Sequence, residues 1–543
     1  MERQLNFGHV LVLSVVFLWC FCVSVARSVP AIGPVHPCAQ CHPKEVAGYA
    51  KTQMAHSLGP ATRVPSGKFT HAVSKTQFTI ESDGSRMVQR VERGGVKGDY
   101  KIDYAVGSGT HAFAYLVELG DHLFESPIGY FPGRGWGMSP GFENSRAPDF
   151  DRPVTPDCLF CHSGGARPIA GTFNSYQNPP FAAQAITCER CHGPSEAHLR
   201  NPVPGSIINP ANLPPRARDS VCEQCHLNGE ERVANPGKQL ADFRPGEDLE
   251  DVFSVYVDAD SRDPTRPSPL KVISQVQQLA LSTCARQSHG KLWCGTCHDP
   301  HVQPADPKSY FRARCLSCHG AALLQSHPKP NDDCIGCHMP RRPVSDGAHT
   351  IFTDHHIARR PAPSPGVVQP DKPRALVAWH EPQGDLAPRN LGIAEIRVGD
   401  RLESAELVSQ GFQLLMDEWS KFPNDPAVLT ALAKALLVAG HGAEAAALFE
   451  QAIRIEPDVA LHDLHAGVAR KAAHDNQKAA EYFEKAIQLD PLLEQPYLEL
   501  AQIYGQAHDA ARLDQIERRY LKAFPENLRA RTASRRASAP AAR

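Results

Sequence analysis

Cys294-Gly295-Thr296-Cys297-His298 is one of seven copies of the pattern C-x-x-C-H, and the chain is organised around these copies. Seven copies with two cysteines each account for fourteen of the seventeen cysteines. A spacing repeated this often indicates the same chemistry at every copy. The other copies begin and end at Cys38 and His42, Cys158 and His162, Cys188 and His192, Cys222 and His226, Cys315 and His319, and Cys334 and His338.

The pattern C-x-x-C-H is the covalent attachment signature of c-type haem. Residues three apart share a helix face, so both thiols reach the two vinyl groups on one edge of the porphyrin. The closing histidine takes the iron as its proximal ligand. We therefore predict seven haem c groups, each with its iron. The predicted thioether cysteines are Cys38, Cys41, Cys158, Cys161, Cys188, Cys191, Cys222, Cys225, Cys294, Cys297, Cys315, Cys318, Cys334 and Cys337.

Zinc and disulfides are the competing interpretations of these cysteines. Zinc sites combine two C-x-x-C pairs, or one pair with spaced histidines, and do not need a histidine directly after every second cysteine. A disulfide framework also leaves that histidine unexplained. Cys284 lies outside the copies, and we expect it to be a buried free thiol.

Length and charge predict two or three domains and give no support for a nucleic-acid partner. The chain has 543 residues and a formal net charge of −2. Residues 1–26 resemble a signal peptide, with Arg3 before an apolar run and small residues at 24–26. The alternative is an uncleaved anchor helix. We expect export to the periplasm or beyond, with membrane contact that is at most peripheral or made through that anchor.

The haem motifs predict a multihaem cytochrome domain over residues 35–358. Short alternating runs with glycine turns predict a small β-rich insertion at about 69–131. The last three motifs, which start at Cys294, Cys315 and Cys334, follow one another most closely. Such short spacings leave little room for a polypeptide core, so neighbouring haems should pack against one another.

The C-terminal part is predicted to be a repeat domain. Pro423, Pro457, Pro491 and Pro525 are evenly spaced. Their interval of about 34 residues is typical of tetratricopeptide repeats. We predict a proline-rich linker at 359–390, an α-solenoid at 391–527 and a disordered tail at 528–543. The predicted fold is mainly α, with few strands outside the β-rich insertion.

Histidines outside the motifs are candidates for the second axial position on each iron. His198 and His301 follow motif histidines closely, and His327 lies between two motifs. His349, His355 and His356 follow the last motif.

Several phrases resemble a known family. They are VGSGTH (106–111), MSPG (138–141), ITCERCHGP (186–194), CHDPH (297–301), CHMP (337–340) and FTDHHI (352–357). The chain is similar to bacterial multihaem cytochromes with C-terminal tetratricopeptide repeats, which are related to the tetrahaem and octahaem cytochromes of nitrogen metabolism. The resemblance implies distal ligands at His71, His111, His198, His301, His327, His349 and His355. His356 competes with His355, and Met54 and His56 compete near the first motif.

Three functions follow from this sequence. The first is electron transfer along the haems, with the repeats docking a redox partner protein. The second is reduction or oxidation of a small nitrogen or sulfur compound at an open haem. It is less favoured because the chain has no C-x-x-C-K motif of the kind that marks the catalytic haem in nitrite-reducing relatives. The third is a repeat scaffold with structural haems.

Overall fold

The computed structural model describes residues 36–61, 64–264, 269–320, 324–325, 327, 333–347, 349–359, 372–382 and 384–532. The predicted signal peptide at 1–26 lies outside the described residues, as do 360–371 in the predicted linker and the tail from 533 onward. Among the described helices, none combines the length and the apolar character needed to cross a membrane.

The region with the haem motifs contains short helices. They are α1 (Pro43–Tyr49), α2 (Pro156–Phe160), α3 (Glu189–His192), α4 (Glu196–Arg200), α5 (Pro215–His226), α6 (Gln275–Leu281), α7 (Thr283–Gln287), α8 (Cys294–Cys297), α9 (Pro307–His319) and α10 (Cys334–His338). Single 3-10 turns occur at Pro37–Gln40, Met54–His56, Pro210–Asn212, Leu240–Asp242, Leu249–Asp251 and Ala259–Arg262.

Strands are numerous in the same region. They are β1 (Leu58–Pro60), β2 (Gly67–Thr70), β3 (Gln77–Ser82), β4 (Met87–Arg93), β5 (Val96–Ile102), β6 (Tyr104–Val106), β7 (Ala114–Leu119), β8 (His122–Glu125), β9 (Ile128–Phe131), β10 (Gly135–Met138), β11 (Arg152–Pro153), β12 (Ala166–Pro168), β13 (Tyr176–Phe181), β14 (Glu231–Ala234), β15 (Phe253–Asp258), β16 (Arg341–Pro343), β17 (Ile351–Thr353) and β18 (Leu376–Ala378).

The strands form antiparallel sheets, of which two are large. One is the four-stranded meander β2-β3-β4-β5, and the other has the order β1-β6-β7-β8-β11. In β5, burial alternates strictly from Val96 to Ile102, so every second side chain faces the core. Smaller sheets have the orders β9-β10, β12-β13, β14-β15-β18 and β16-β17.

The prediction of a mainly α fold with few strands is therefore only partly correct. The repeats are helical, but the region before them is mixed, and its strands extend well outside 69–131. Many of these strands have only two to four residues and border glycines or prolines. Segments this short show too few alternations to be recognised from hydrophobic periodicity.

The C-terminal region is a stack of antiparallel helices. They are α11 (Leu386–Leu402), α12 (Ala405–Asp417), α13 (Pro426–Val438), α14 (Gly442–Ile455), α15 (Ala460–Ala472), α16 (Asn476–Leu489), α17 (Glu494–Gln506) and α18 (Ala510–Ala523), with a 3-10 turn at Trp419–Lys421. A Cβ on Gly467 would lie 2.6 Å from the Phe483 ring, so only glycine lets α15 and α16 approach this closely.

The loops that join successive repeats contact the N-terminal region. The backbone N–H of Ala460 donates to the Gly171 carbonyl at 3.1 Å, and that of Leu528 donates to Asp149 Oδ2 at 2.7 Å. Asp490 receives hydrogen bonds from His122 Nε2 at 2.7 Å and from the backbone N–H of Phe173 at 2.9 Å. These loops recur along one edge of the solenoid, which therefore packs on its own N-terminal region.

A single apolar cluster spans this contact. It contains Phe78 and Tyr115 from the sheets and Phe483 and Tyr497 from the repeats. The ring of Phe124 in β8 lies edge-on to Phe524, with 6.5 Å between the ring centroids. The repeats and the sheets thus share one core.

Two predicted boundaries differ from the structure. β18, within the predicted linker, pairs with β15, so the chain is tied to the N-terminal region at Leu376–Ala378. Residues 528–532, in the predicted disordered tail, are helical, and Leu528 and Ala530 are fully buried. Neither segment has a local signal, because each is ordered by contact with residues far away in sequence.

Replacing Asp490 should separate the solenoid edge from the sheets. Its side chain is fully buried, so Asp490→Ala would leave Nε2 of His122 and the Phe173 N–H without their acceptor. We expect the free energy of unfolding to fall by about 3 kcal/mol or more, measured as the denaturant midpoint of the helical signal.

Asp514→Ala is the matched control. Asp514 is half-exposed and pairs with Arg518 on its own helix, so we expect a change within about 0.5 kcal/mol. Equal effects of the two substitutions would contradict the proposed importance of the buried contact.

Candidate haem-binding sites

The motifs lie on short helical turns. In three of them the backbone N–H of the closing histidine donates to the carbonyl of the first cysteine: His42 to Cys38 at 2.8 Å, His192 to Cys188 at 2.9 Å, and His298 to Cys294 at 2.9 Å. One such turn brings the two thiols of a motif to the same side of the helix. Paired attachment to one edge of a porphyrin requires this placement.

Four motif histidines face a second histidine. The ring centroids of His42 and His198 lie 6.4 Å apart with 24° between the ring planes. The corresponding values are 5.9 Å and 23° for His192 and His301, 6.2 Å and 30° for His298 and His355, and 6.0 Å and 84° for His338 and His327. Each pair joins one motif histidine to one of the predicted distal histidines.

These separations fit a single metal ion between two imidazoles. Histidine–metal bonds of about 2.0–2.1 Å, as in zinc sites, would place the centroids of two trans imidazoles about 6 Å apart. The four pairs therefore have the spacing that a haem iron with two histidine ligands requires.

Hydrogen bonds at Nδ1 orient the paired rings. The Nδ1–H groups of His192, His338 and His355 donate to the carbonyls of Ile208, Ala358 and Thr353 at 2.8, 2.7 and 3.0 Å. A carbonyl only accepts, so Nε2 of each ring carries the free lone pair that a metal needs. Metal-binding histidines are usually fixed in this way.

The distal rings that face the first and third motif histidines have polar side-chain partners at Nδ1. His198 Nδ1 contacts Ser206 Oγ at 2.8 Å, and His301 Nδ1 contacts Asp299 Oδ1 at 3.2 Å. No feature of the sequence identifies Ser206 or Asp299 for this role, because the contacts depend on how the loops fold back.

Loss of hydration favours the neutral form of three paired imidazoles, those of His298, His192 and His355. Desolvation by the surrounding chain lowers the pKa of His298 to about 4, with further lowering by the neighbouring His355 and His226. Desolvation is also the main cause that lowers the pKa of His192 and of His355. Neutral imidazole is the form that binds a metal.

The motifs also lie close to one another. Ligand atoms of His36, Cys38 and Cys188 lie within 4.8 Å of one another, which joins the first and third motifs. The thiols of Cys222 and Cys294 also lie close together, which joins the fourth and fifth motifs. Further thiol contacts join Cys161 to Cys225 and Cys315 to Cys334.

Four predicted distal histidines lie elsewhere. Both ring nitrogens of His71 are hydrogen-bonded, to Ser74 Oγ and to the Glu143 carbonyl at 2.8 Å each, which leaves neither for a metal. His111 stacks on Phe352, and His349 Nδ1 contacts Arg134 Nη1 at 2.8 Å. His56 lies in the turn Met54–His56.

Three motif histidines lack a facing histidine among the described ring contacts: His162, His226 and His319. Desolvation lowers the pKa of His226, and the side chain of Gln275 lies beside its imidazole. The sequence does not indicate Gln275 as a neighbour of this motif. Cys284, which we expect to be a free thiol, lies near Cys297 and is partly buried.

Comparison with known proteins agrees with a haem protein. Residues 142–193 match the family model described as cytochrome c554 and c-prime. This region contains the second and third motifs and is cytochrome c-like, which implies covalently bound haem c. Comparison with the curated proteins gives no match.

Among solved structures, the chain is similar at low scores to MamA and to two tetratricopeptide proteins. MamA is 16% identical, with 26% of this chain and 82% of that chain covered and a TM-score of 0.23. A thermophilic TPR protein of Thermus thermophilus is 21% identical, with coverages of 27% and 80% and a TM-score of 0.23. The first TPR domain of human RPAP3 is 18% identical, with coverages of 24% and 98% and a TM-score of 0.20.

Adjacent histidines offer a matched test of distal ligation. His355 faces His298, whereas the backbone N–H of His356 bonds to Asp354. We expect His355→Ala to convert one ferric haem from low spin to high spin, and His356→Ala to leave the spectrum unchanged. Electron paramagnetic resonance of the oxidised protein measures both. A new high-spin signal in the His356 variant alone would contradict the pairing.

Proposed function

We propose that the chain is an exported c-type cytochrome that holds seven haem c groups and transfers electrons along them. The observation that carries the proposal is the set of four facing histidine pairs, each of which contains one motif histidine. Haem c supplies one-electron oxidation and reduction when bound, with a potential set by its axial ligands and surroundings.

The paired histidines hold their positions through contacts that do not involve the metal. Nδ1–H donors on His192, His338 and His355 anchor the rings to backbone carbonyls. Because the rings are fixed by these bonds, they would not rearrange when the charge at the site changes. Small rearrangement is favourable for electron transfer and unfavourable for a site that must open to a substrate.

The proximity of successive motifs supports a continuous route. Cysteines that lie near each other give the order of the motifs along this route as first, third, fourth, fifth, sixth and seventh. The second motif lies beside the fourth. The links are Cys38 to Cys188, Cys191 to Cys222, Cys222 to Cys294, Cys297 to Cys315, Cys315 to Cys334, and Cys161 to Cys225. We infer that electrons enter and leave near the first and seventh motifs, in the periplasm or outside the cell.

The repeats are proposed to dock a redox partner protein. One edge of the solenoid is occupied by the chain's own sheets, through Ala460, Asp490 and Leu528. A partner would therefore meet the helical faces and not that edge. Because the repeats and sheets share one core, a partner held there would be fixed relative to the haem motifs.

Reduction of a small nitrogen or sulfur compound is the second candidate function. The observation that favours it is Gln275 against the ring of His226, where a facing histidine would complete a closed site. An iron held by His226 and flanked by an amide side chain would retain a position for a small ligand.

A reductive titration of the haem-loaded protein separates the two functions. We expect an electron carrier to take up seven electrons per chain and to keep them when nitrite or hydroxylamine is added without oxygen, as measured by haem absorbance. Rapid reoxidation by either compound, abolished by Gln275→Leu and not by the control Gln287→Leu, would contradict electron transfer as the only function.

A further inference from the structure

The repeat α15–α16 departs from the tetratricopeptide pattern at its tryptophan and tyrosine positions, and it has Ala466 at the leucine position. That pattern has the form W-x2-L-G-x2-Y…A-x3-F…P, and here Gly467, Ala479, Phe483 and Pro491 fix its register. The tryptophan and tyrosine positions are occupied by Asp463 and Arg470.

The repeats on either side keep apolar or aromatic residues at the same two positions. The preceding repeat has Leu429 and Leu436, and the following one has Tyr497 and Tyr504. Both positions normally pack between helices. The tryptophan and tyrosine positions of this repeat therefore carry a carboxylate and a guanidinium, and the first repeat also has a carboxylate, Glu395, at its tryptophan position.

A polar pocket occupies this place. Its volume is about 320 Å³, at the lower end of the range of about 300–1,000 Å³ typical of small-ligand sites. Three consecutive helices line it: α14 through Glu450, α15 through Asp463 and Arg470, and α16 through Tyr482 and the charged residues Lys478, Glu481 and Lys485.

Some charged side chains lie at the rim of the pocket and others lie deeper. Lys478, Glu481 and Lys485 are exposed, so they lie at the rim. Deeper in the pocket, Arg470 Nε donates to Glu450 Oε1 at 2.8 Å, and this ion pair leaves no net charge. Among the described residues that line the deeper part of the pocket, Asp463 is the charged residue that forms no ion pair.

Asp463 is the residue that indicates a ligand in this pocket. It is 2% exposed, and its Oδ2 atom is buried without a hydrogen-bond partner in the described part of the chain. Burial raises the pKa of this carboxyl to about 6, while nearby Lys485 lowers it. A buried carboxylate oxygen without a donor is costly, because the hydration it lost is not replaced.

We propose that this pocket binds an organic cation, a primary ammonium or a guanidinium, with Asp463 as its acceptor. Such a group would donate a charge-assisted hydrogen bond to Oδ2, and its alkyl stem would fill the volume left by the absent rings. Either of two kinds of molecule would supply this cation. One is a free small amine, and the other is a partner protein with a lysine or arginine side chain. The proposal does not depend on haem or on electron transfer.

Calorimetric titration of the full-length, haem-loaded protein tests it. The probes are agmatine as a free amine, a glycine-serine peptide with one central arginine, and the same peptide with glutamine. We expect at least one of the two cationic probes to bind and the glutamine peptide not to bind. Stronger binding of the arginine peptide indicates a protein side chain as the source, and stronger binding of agmatine indicates a free amine.

Asp463→Asn keeps the shape of the side chain and removes its charge. We expect it to weaken binding of the cationic probe about tenfold or more, the usual effect of losing a charged hydrogen-bond partner. The matched control, Asp514→Asn, changes a half-exposed carboxylate on α18 and should leave binding unchanged. Circular dichroism checks that both variants remain folded.

A second variant keeps the test valid if Asp463→Asn unfolds the repeat. Glu481 is exposed at the rim, so Glu481→Gln leaves the packing intact and should weaken cation binding about threefold through the loss of a surface charge. The proposal is overturned if neither cationic probe binds at millimolar concentration, or if binding is equal in the wild type and in the folded Asp463 variant.

Discussion

We propose that the arrangement of the N-terminal region depends on pairs of imidazoles, whose ring centroids lie 5.9 Å to 6.4 Å apart. In each pair the motif histidine comes from a helical turn that also carries two thiols, and the second histidine comes from another part of the chain. His42 meets His198, for example, across the whole β-rich region, and a metal between two such rings would tie their segments together. None of the residues of α9, the helix that ends in the sixth motif, is buried. This is the expected state of a polypeptide whose core is supplied by attached groups.

The repeats provide a conventional apolar core beside this region. Phe449 and Phe483 are fully buried between helices, and inter-repeat loops that recur with the period of the prolines contact the sheets. The solenoid edge is thus an intramolecular contact surface, which a generic partner-docking domain would leave free. We interpret the repeats as both the support of the N-terminal sheets and the place where other molecules are held.

The sequence predicted the features that repeat and four of the distal histidines, and it missed other features that depend on distant contacts. The motif spacing and the period of the prolines are local patterns, and the helical repeats that the prolines predicted are present. His198, His301, His327 and His355 were also predicted as distal ligands, and the structure brings each of them opposite a motif histidine. His71 was predicted for the same role, but its nitrogens are taken by Ser74 and Glu143, which no sequence pattern reveals. The short strands and the ordered segment at 528–532 were missed for the same reason, since their partners lie far away in the chain.

The central claim is that seven porphyrins are covalently attached to this chain. The mass of the purified, intact protein, measured together with its metal content, tests this most directly. The account predicts the polypeptide mass plus seven haems, with seven irons per chain, retained after denaturation. A mass that equals the bare polypeptide, or zinc in place of iron, would contradict it.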